Sequence, residues 1–301
     1  MSLAIRSVLG GAILLYTGSV WAADTATRNV IDRLEDAGFS LRQKISGPVK
    51  PATFSYEKTA GESFVAAEFA FLYVKFDEAL SAASKSRDLF FRQFAVEGNL
   101  GGAEETRKNS FLRFSGSLAN YHYADTNSIN GFYQRIGPVY EATKKFSLEN
   151  AYGEYEFVPV YDAVGVGVYK ALLPGVYYQL LPSFVFNYGR NVRHDIETFE
   201  KRTTILRAIP YQAFNLSFSD LSKSLGFSSI IFNVTNKTTY LPLETQRLHN
   251  YLETSLDFGL TKNVHLVASY SRGREAPTYI DTPDFAVKFG IQFGKGHFVD
   301  P

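Results

Sequence analysis

Residues 284–294, DFAVKFGIQFG, are the stretch that decides the fold. Every second residue is apolar, and this set is Phe285, Val287, Phe289, Ile291 and Phe293. The residues between them are small or polar and include Lys288 and Gln292. Because successive side chains of an extended chain point to opposite faces, the pattern predicts a β-strand with one apolar and one polar face.

The same two-residue period recurs from residue 63 onward. In residues 248–260, for example, Leu252 and Leu256 alternate with Glu253 and Asp257. The period predicts candidate strands at 63–76, 88–99, 109–123, 131–141, 146–158, 163–171, 175–188, 202–218, 228–237, 248–260, 263–272 and 284–294. These are about twelve antiparallel strands, an even number that places both chain ends on the same side of a barrel.

Three features favour a membrane-spanning barrel over a soluble sandwich, which remains the alternative as a periplasmic β-protein. Most candidate strands have ten or more residues, the length that a tilted strand needs to cross a bilayer. Aromatic residues such as Tyr188, Tyr270 and Phe293 stand near strand ends, where membrane barrels carry aromatic girdles. Long connections, at 77–87, 124–130, 189–201, 238–247 and 273–283, alternate with mostly shorter ones, which predicts long loops at one end of the barrel and shorter turns at the other. The predicted fold class is therefore all-β, an antiparallel transmembrane β-barrel. Ten or fourteen strands also fit, because residues 131–141 contain Gly137-Pro138 and residues 163–171 contain two glycines.

The N-terminal part differs from the rest. Residues 1–22 have Arg6 ahead of a short apolar stretch and small residues before Ala23, which predicts a cleaved signal peptide. In residues 23–50, the apolar residues Val30, Leu34, Ala37 and Leu41 recur at helical spacing. We expect a short helical or irregular segment there, either a periplasmic leader or a plug of the barrel, with residues 51–301 forming the barrel itself.

Composition excludes several kinds of function. The 31 Lys and Arg against 30 Asp and Glu leave a formal charge of +1, which argues against nucleic acid as a partner. The chain has no cysteine, so a disulfide framework, a thiolate metal site and a cysteine nucleophile are excluded. The sequence predicts no metal site and no organic cofactor.

The signal peptide, the alternating strands and the aromatic last strand resemble those of bacterial outer-membrane β-barrel proteins as a broad class. The resemblance implies a location in the outer membrane of a Gram-negative bacterium, with lipid and lipopolysaccharide as surroundings and the barrel assembly machinery as a partner. Such barrels commonly end on an aromatic residue that the machinery reads, whereas this chain continues from Phe293 to Pro301. Either Phe293 or Phe298 acts as this aromatic signal at a position shifted from the chain end, or the assembly signal is unusual.

Charged side chains on the inward faces are the candidates for function. On the predicted strand faces they are Arg113, Arg207, Glu253, Asp257, His265 and Lys288, with Glu68 and Arg92 as further members. Both signs are present, which fits a wet, salt-bridged lumen and also fits a selectivity constriction with opposed charges.

These residues lead to the expectation of a narrow passive channel for small polar solutes, with no catalytic set assigned. One alternative is a hydrolase that modifies lipid or lipopolysaccharide through His265 and Ser269. Those two residues lie four apart on one strand, however, which separates them by roughly 13 Å and points both into the lumen. A second alternative is a closed structural or surface-recognition barrel whose loops, such as the one opening with Gly189 and Arg190, bind a partner.

Overall fold

The computed structural model describes residues 38–45, 50–59, 62–83, 88–101, 110–124, 130–143, 148–194, 203–277, 279 and 284–293. The strands are β1 Gly38–Arg42, β2 Ala52–Thr59, β3 Glu62–Phe76, β4 Asp88–Leu100, β5 Phe111–Tyr123, β6 Gly131–Thr143, β7 Leu148–Val160, β8 Lys170–Leu173, β9 Val176–His194, β10 Thr204–Phe218, β11 Ser229–Tyr240, β12 Leu248–Gly259, β13 Val264–Gly273 and β14 Asp284–Ile291. Among the described residues, two short α-helices, α1 Glu78–Ala83 and α2 Ser219–Leu225, and one 3-10 helix, Asp162–Val164, lie in connections. No helix in these ranges is long and apolar enough to cross a membrane.

Twelve of the strands close into an antiparallel barrel, which confirms the predicted fold class. Neighbours follow the order β2, β3, β4, β5, β6, β7, β9, β10, β11, β12, β13 and β14. The circle closes where β14 pairs with β2, through Phe289 opposite Phe54 and Ile291 opposite Ala52. Closure leaves no free edge along the wall, which removes the unpaired backbone groups of an open sheet.

The two faces of the wall differ in chemistry as the alternation predicts. Large apolar side chains such as Phe94, Phe184 and Phe289 are more than half exposed on the outer face. On the inner face, Glu253 and Asp257 of β12 are buried. An apolar exterior with buried charges inside is the reverse of an ordinary water-soluble domain.

The predicted number of wall strands, twelve, is correct, but one of the predicted strands is not in the wall and another strand takes its place. Residues 163–171 do not form a wall strand, because Gly165 and Gly167 adopt positive φ angles of 69° and 77° and turn the chain. Only β8 follows, and it pairs with the first residues of β9 outside the barrel order. The wall strand that the sequence reading missed is β2, which precedes the first predicted strand.

Because β2 takes the place of residues 163–171 in the wall, several connections lie at the opposite end of the barrel from the one that the sequence predicts. One end, which we call the helical end, carries α1, α2 and the connection from β7 to β9; the opposite end, which we call the mouth, carries the connection from β13 to β14. The strand ends that flank 77–87 and 124–130 lie at the helical end. The prediction that all long connections share one end is therefore wrong.

The first wall strand is split. β1 pairs with β3 from Val74 to Ala70, and β2 continues along the same edge of β3 from Glu68. Between them the chain leaves the wall and enters the lumen; the backbone N–H of Gln43 donates to the carbonyl of Lys50 at 2.7 Å and closes this excursion. We call its described residues, 43–45 and 50–51, the inner segment.

Several N-terminal and C-terminal predictions fall outside the described ranges. These are the signal peptide, the apolar residues Val30, Leu34 and Ala37, and the region after Phe293. Leu41, the last residue of the predicted helix, lies in strand β1.

Candidate functional site

The first group of lumen charges surrounds Glu141, a fully buried carboxylate on β6. Arg113 of β5 donates to it from Nη2 at 2.7 Å and from Nε at 3.2 Å. Arg207 of β10 places Nη1 3.6 Å from the other carboxylate oxygen. Tyr152 donates its hydroxyl to Glu141 at 3.2 Å, and the Arg207 guanidinium lies 5.3 Å from the Tyr152 ring centroid. Two of the predicted lumen residues, Arg113 and Arg207, thus meet at one carboxylate.

The second group surrounds Glu253 on β12. Lys50 of the inner segment donates to Glu253 at 2.9 Å, and Lys44 of the same segment lies 3.6 Å from its second oxygen. Lys44 also lies 3.5 Å from Glu275, which stands on the connection from β13 to β14. Lys237 of β11 donates to the other oxygen of Glu275. Ion pairs therefore join the wall, the inner segment and the mouth.

The third group lies toward the helical end. His265 on β13 shares a hydrogen bond of 2.9 Å with Asp257 on the neighbouring strand β12. Lys288 on β14 lies 3.9 Å from Glu68 on β3. Asp257 and Lys288 of this group, together with Glu253 and Lys50, line part of a small cavity of about 10 Å³. This is about the room that one water molecule needs.

The structure places all six predicted lumen residues on the inner face and distributes them among these three groups. Arg92 is different: it lies on the outer face, 63% exposed, with Nε 2.6 Å from Asp77. The assignment of Arg92 to the lumen is wrong because β4 has the opposite parity there, with Gln93 and Glu97 buried inside.

Sequence reasoning missed a buried arginine and the two inner lysines. Arg135 on β6 forms ion pairs of 2.7 Å with Glu154 and 2.9 Å with Glu156, both on β7. A signal for this set was present, since both glutamates alternate with Tyr155 and Phe157. Lys44 and Lys50 gave no such signal, because they lie outside any strand.

The lumen is filled at both ends. At the helical end an apolar cluster occupies the interior; its members are Leu89, Ala119, Tyr121, Tyr123, Tyr133, Val158, Val160 and Val168. At the mouth, residues 274–277 and 279, which we call the mouth segment, fold inward. Tyr279 is fully buried and packs against His249 with ring centroids 4.8 Å apart. The small cavity beside Glu253 lies between these two groups of side chains.

The geometry does not assemble the hydrolase alternative. Among the described residues, no hydrogen bond joins His265 to Ser269, and Nε2 of His265 is buried without a partner. The same ranges hold no cluster of three or more His, Asp or Glu side chains able to bind a metal ion.

No family model matches the chain, and no curated protein matches it. A solved structure described as a bacterial polysaccharide outer membrane secretin aligns over 86% of this chain and 96% of its own, with 10% sequence identity and a TM-score of 0.38.

Proposed function

We propose that this barrel resides in the outer membrane and provides a narrow passage for small polar solutes, closed in the state described. The observation that carries the proposal is the position of the charges that close the middle of the lumen. Lys44 and Lys50 belong to the inner segment and Glu275 to the mouth segment, so their ion pairs with the wall can break while the wall stays intact.

The energetics of the lumen support this reading. Desolvating paired charges offsets much of their mutual attraction, and well-packed apolar side chains often stabilise a buried site as well or better. The helical end of this barrel is filled in that apolar way. Retaining opposed charges in the middle of the lumen suits the movement of polar solutes, whose own polar groups need partners along the path.

The outer surface supports the membrane location. Exposed aromatic and aliphatic side chains cover the outer face of the wall, including Phe184, Phe186 and Val287. An apolar belt of this kind is stabilised by lipid and destabilised by water. The barrel assembly machinery and lipopolysaccharide then belong among the partners. The expected result of membrane fractionation is recovery with the outer membrane; recovery in the soluble periplasm would refute the location.

The passage is tested by single-channel recording of the chain after residue 22, refolded into a planar lipid bilayer. We expect rare, small openings for the native chain and more frequent openings for Glu275→Gln, which frees the mouth segment from Lys44 and Lys237. Asp220→Asn, on exposed helix α2, removes a carboxylate far from the lumen and serves as the control. No opening by any folded variant would overturn the proposal.

The second candidate is a closed structural or surface-recognition barrel. The apolar cluster at the helical end favours it, because uncharged side chains occupy part of the interior there. It predicts silence in the recordings above together with loop-dependent binding of a partner.

A further inference from the structure

We infer that the lumen contains a binding site for ammonium groups, which Lys44 occupies from within the chain. The site lies between Glu253 on β12, Glu275 on the mouth segment and the ring of Tyr251. If the barrel is a passage, as proposed above, this site narrows its solutes to organic amines. The binding site itself rests on the geometry alone.

The surroundings of the Lys44 ammonium are those of a cation receptor. Its nitrogen lies 3.6 Å from one oxygen of Glu253 and 3.5 Å from one oxygen of Glu275. The centroid of the Tyr251 ring lies 5.2 Å away. Two carboxylates supply charge and hydrogen-bond acceptors, and the face of an aromatic ring attracts the cation through its quadrupole.

A second ammonium position adjoins the first. Lys237 donates to the other oxygen of Glu275 and lies 5.3 Å from the ring centroid of Tyr211. The motif of a carboxylate and an aromatic ring therefore occurs twice around Glu275. The surroundings suit primary amines, including small diamines.

Of the three lysines in this region, Lys44 is the one that a solute can replace. Its distances to the carboxylates exceed the 2.9 Å of the Lys50–Glu253 pair. The side chains of Lys44 and Glu275 are 19% and 28% exposed, whereas Lys50 is 7% exposed. An amine arriving through the mouth therefore meets Glu275 and Lys44 before the deeper pair.

The test measures binding of 1,4-diaminobutane to the refolded chain in detergent micelles by titration calorimetry, with folding checked by heat-modifiable gel mobility. Lys44→Met keeps a long apolar side chain and removes the internal competitor. We expect this variant to bind at least about tenfold more tightly than the native chain, since a tethered group competes at an effective concentration of about millimolar or more.

The controls separate this site from general charge effects. Lys223→Met, on exposed helix α2, removes an equal charge elsewhere and should leave binding as in the native chain. Adding Glu253→Gln to Lys44→Met should abolish the gain. Equal binding by the native chain and Lys44→Met, or a gain that survives Glu253→Gln, would overturn the inference.

A second measurement uses the unaltered chain, in case Lys44→Met does not fold. Trimethylammonium chloride presents a cation with one N–H donor, and reductive methylation does not modify it because its nitrogen already carries three methyl groups. It should raise the rate of reductive methylation of Lys44, read by mass spectrometry against Lys223 as the internal reference. Sodium chloride at equal concentration controls for ionic strength, and an equal rise with both salts would contradict the inference.

These binding measurements do not depend on conduction. Amine binding without channel openings would support the ammonium site and reject the passage. Openings without amine binding would support the passage and reject the ammonium site.

Discussion

Arg135 and Arg92 lie on opposite faces of the wall, and this difference decides how much each ion pair contributes to the stability of the barrel. Arg135 is 4% exposed inside the lumen between Glu154 and Glu156. Arg92 is 63% exposed on the outer face beside Asp77. Solvent weakens an ion pair whose cation is largely exposed, whereas two carboxylates enclosed in the lumen would keep uncompensated charges after the loss of a buried arginine.

We expect Arg135→Met to lower the free energy of unfolding by about 3–5 kcal/mol, because it strands two buried carboxylates. Arg92→Met removes a largely exposed guanidinium and leaves Asp77 with its hydrogen bond from the Leu80 N–H, so it should change this free energy by at most about 1 kcal/mol. Urea unfolding in lipid vesicles, followed by gel mobility, compares the two variants. Equal effects would mean that the lumen around Arg135 is fully hydrated.

Glu275 makes the mouth segment sensitive to acid. Burial alone would raise the pKa of Glu275, but Lys237 and Lys44 outweigh it and lower the pKa from 4.5 to about 2. The folded-state pKa is the lower one, so the contribution to stability is complete above pH 4.5 and decreases as the pH falls toward 2.

Hydrogen exchange should therefore find the hydrogen-bonded backbone N–H groups of Arg274 and Tyr279 equally protected between pH 7 and pH 5, after correction for intrinsic exchange rates. Protection should decrease below about pH 4 as Glu275 is protonated. In Glu275→Gln it should be low throughout this range. Loss of protection near pH 6 in the native chain would assign the effect to a histidine instead.

It was harder to predict which charged residues form ion pairs than to predict the strand face on which each residue lies. The two-residue period is local, so it placed Glu253, Asp257 and Lys288 on the inner face from the sequence alone. Which charges meet depends on the register between strands and on the path of the inner segment. Nothing near Glu253 in the sequence indicates that Lys44 and Lys50 pair with it.

At the scale of the elements, the absence of a side chain at Gly189 makes room for Tyr152 on the neighbouring strand. Gly189 on β9 faces Tyr152 on β7 across the lumen side of the wall. A Cβ at Gly189 would lie 2.2 Å from the carbonyl oxygen of Ala151 and 2.5 Å from the Cβ of Tyr152. This space lets Tyr152 reach Glu141 and pack beside Arg207.

We expect Gly189→Ala to destabilise the barrel by about 1–3 kcal/mol, since overpacking forces backbone shifts. Gly153→Ala is the matched control on β7, because the nearest atom to its added Cβ would be 3.8 Å away. That change should stay within about 0.5 kcal/mol. The folded fraction in urea measures both, and a tolerated Gly189→Ala would show that β7 and β9 can separate at this point.

The elements themselves were largely readable from the sequence, with two instructive failures. Residues 163–171 alternate valine with glycine, but alternation cannot distinguish an extended strand from a turn that uses glycine at positive φ. β2 was missed because its eight residues follow Pro51 and mix polar with apolar side chains. Its apolar residues Ala52 and Phe54 do alternate with Thr53 and Ser55, which was the available signal.

For the whole molecule, the depth of the apolar belt distinguishes a membrane barrel from a soluble one. Phe184, midway along β9, and Leu248, at the mouth end of β12, are 55% and 60% exposed. In water, arginine at either position would have little effect. In a bilayer, Phe184→Arg should cost about 2–4 kcal/mol and Leu248→Arg about 0–1 kcal/mol. Unfolding from lipid vesicles measures both, and equal values would place the barrel outside the hydrocarbon layer.

The seam between β14 and β2 has a consequence for the order of assembly. It joins residues from nearly opposite ends of the sequence, and Leu41 on β1 also exchanges backbone hydrogen bonds with Phe293. Contacts so distant in sequence form slowly, because a long loop must close before they contribute. A chain that lacks its last strand is therefore an open sheet with two unpaired edges. Such an intermediate can pair with other chains through its edges, so we expect the yield of folded barrel to fall as the time before closure lengthens.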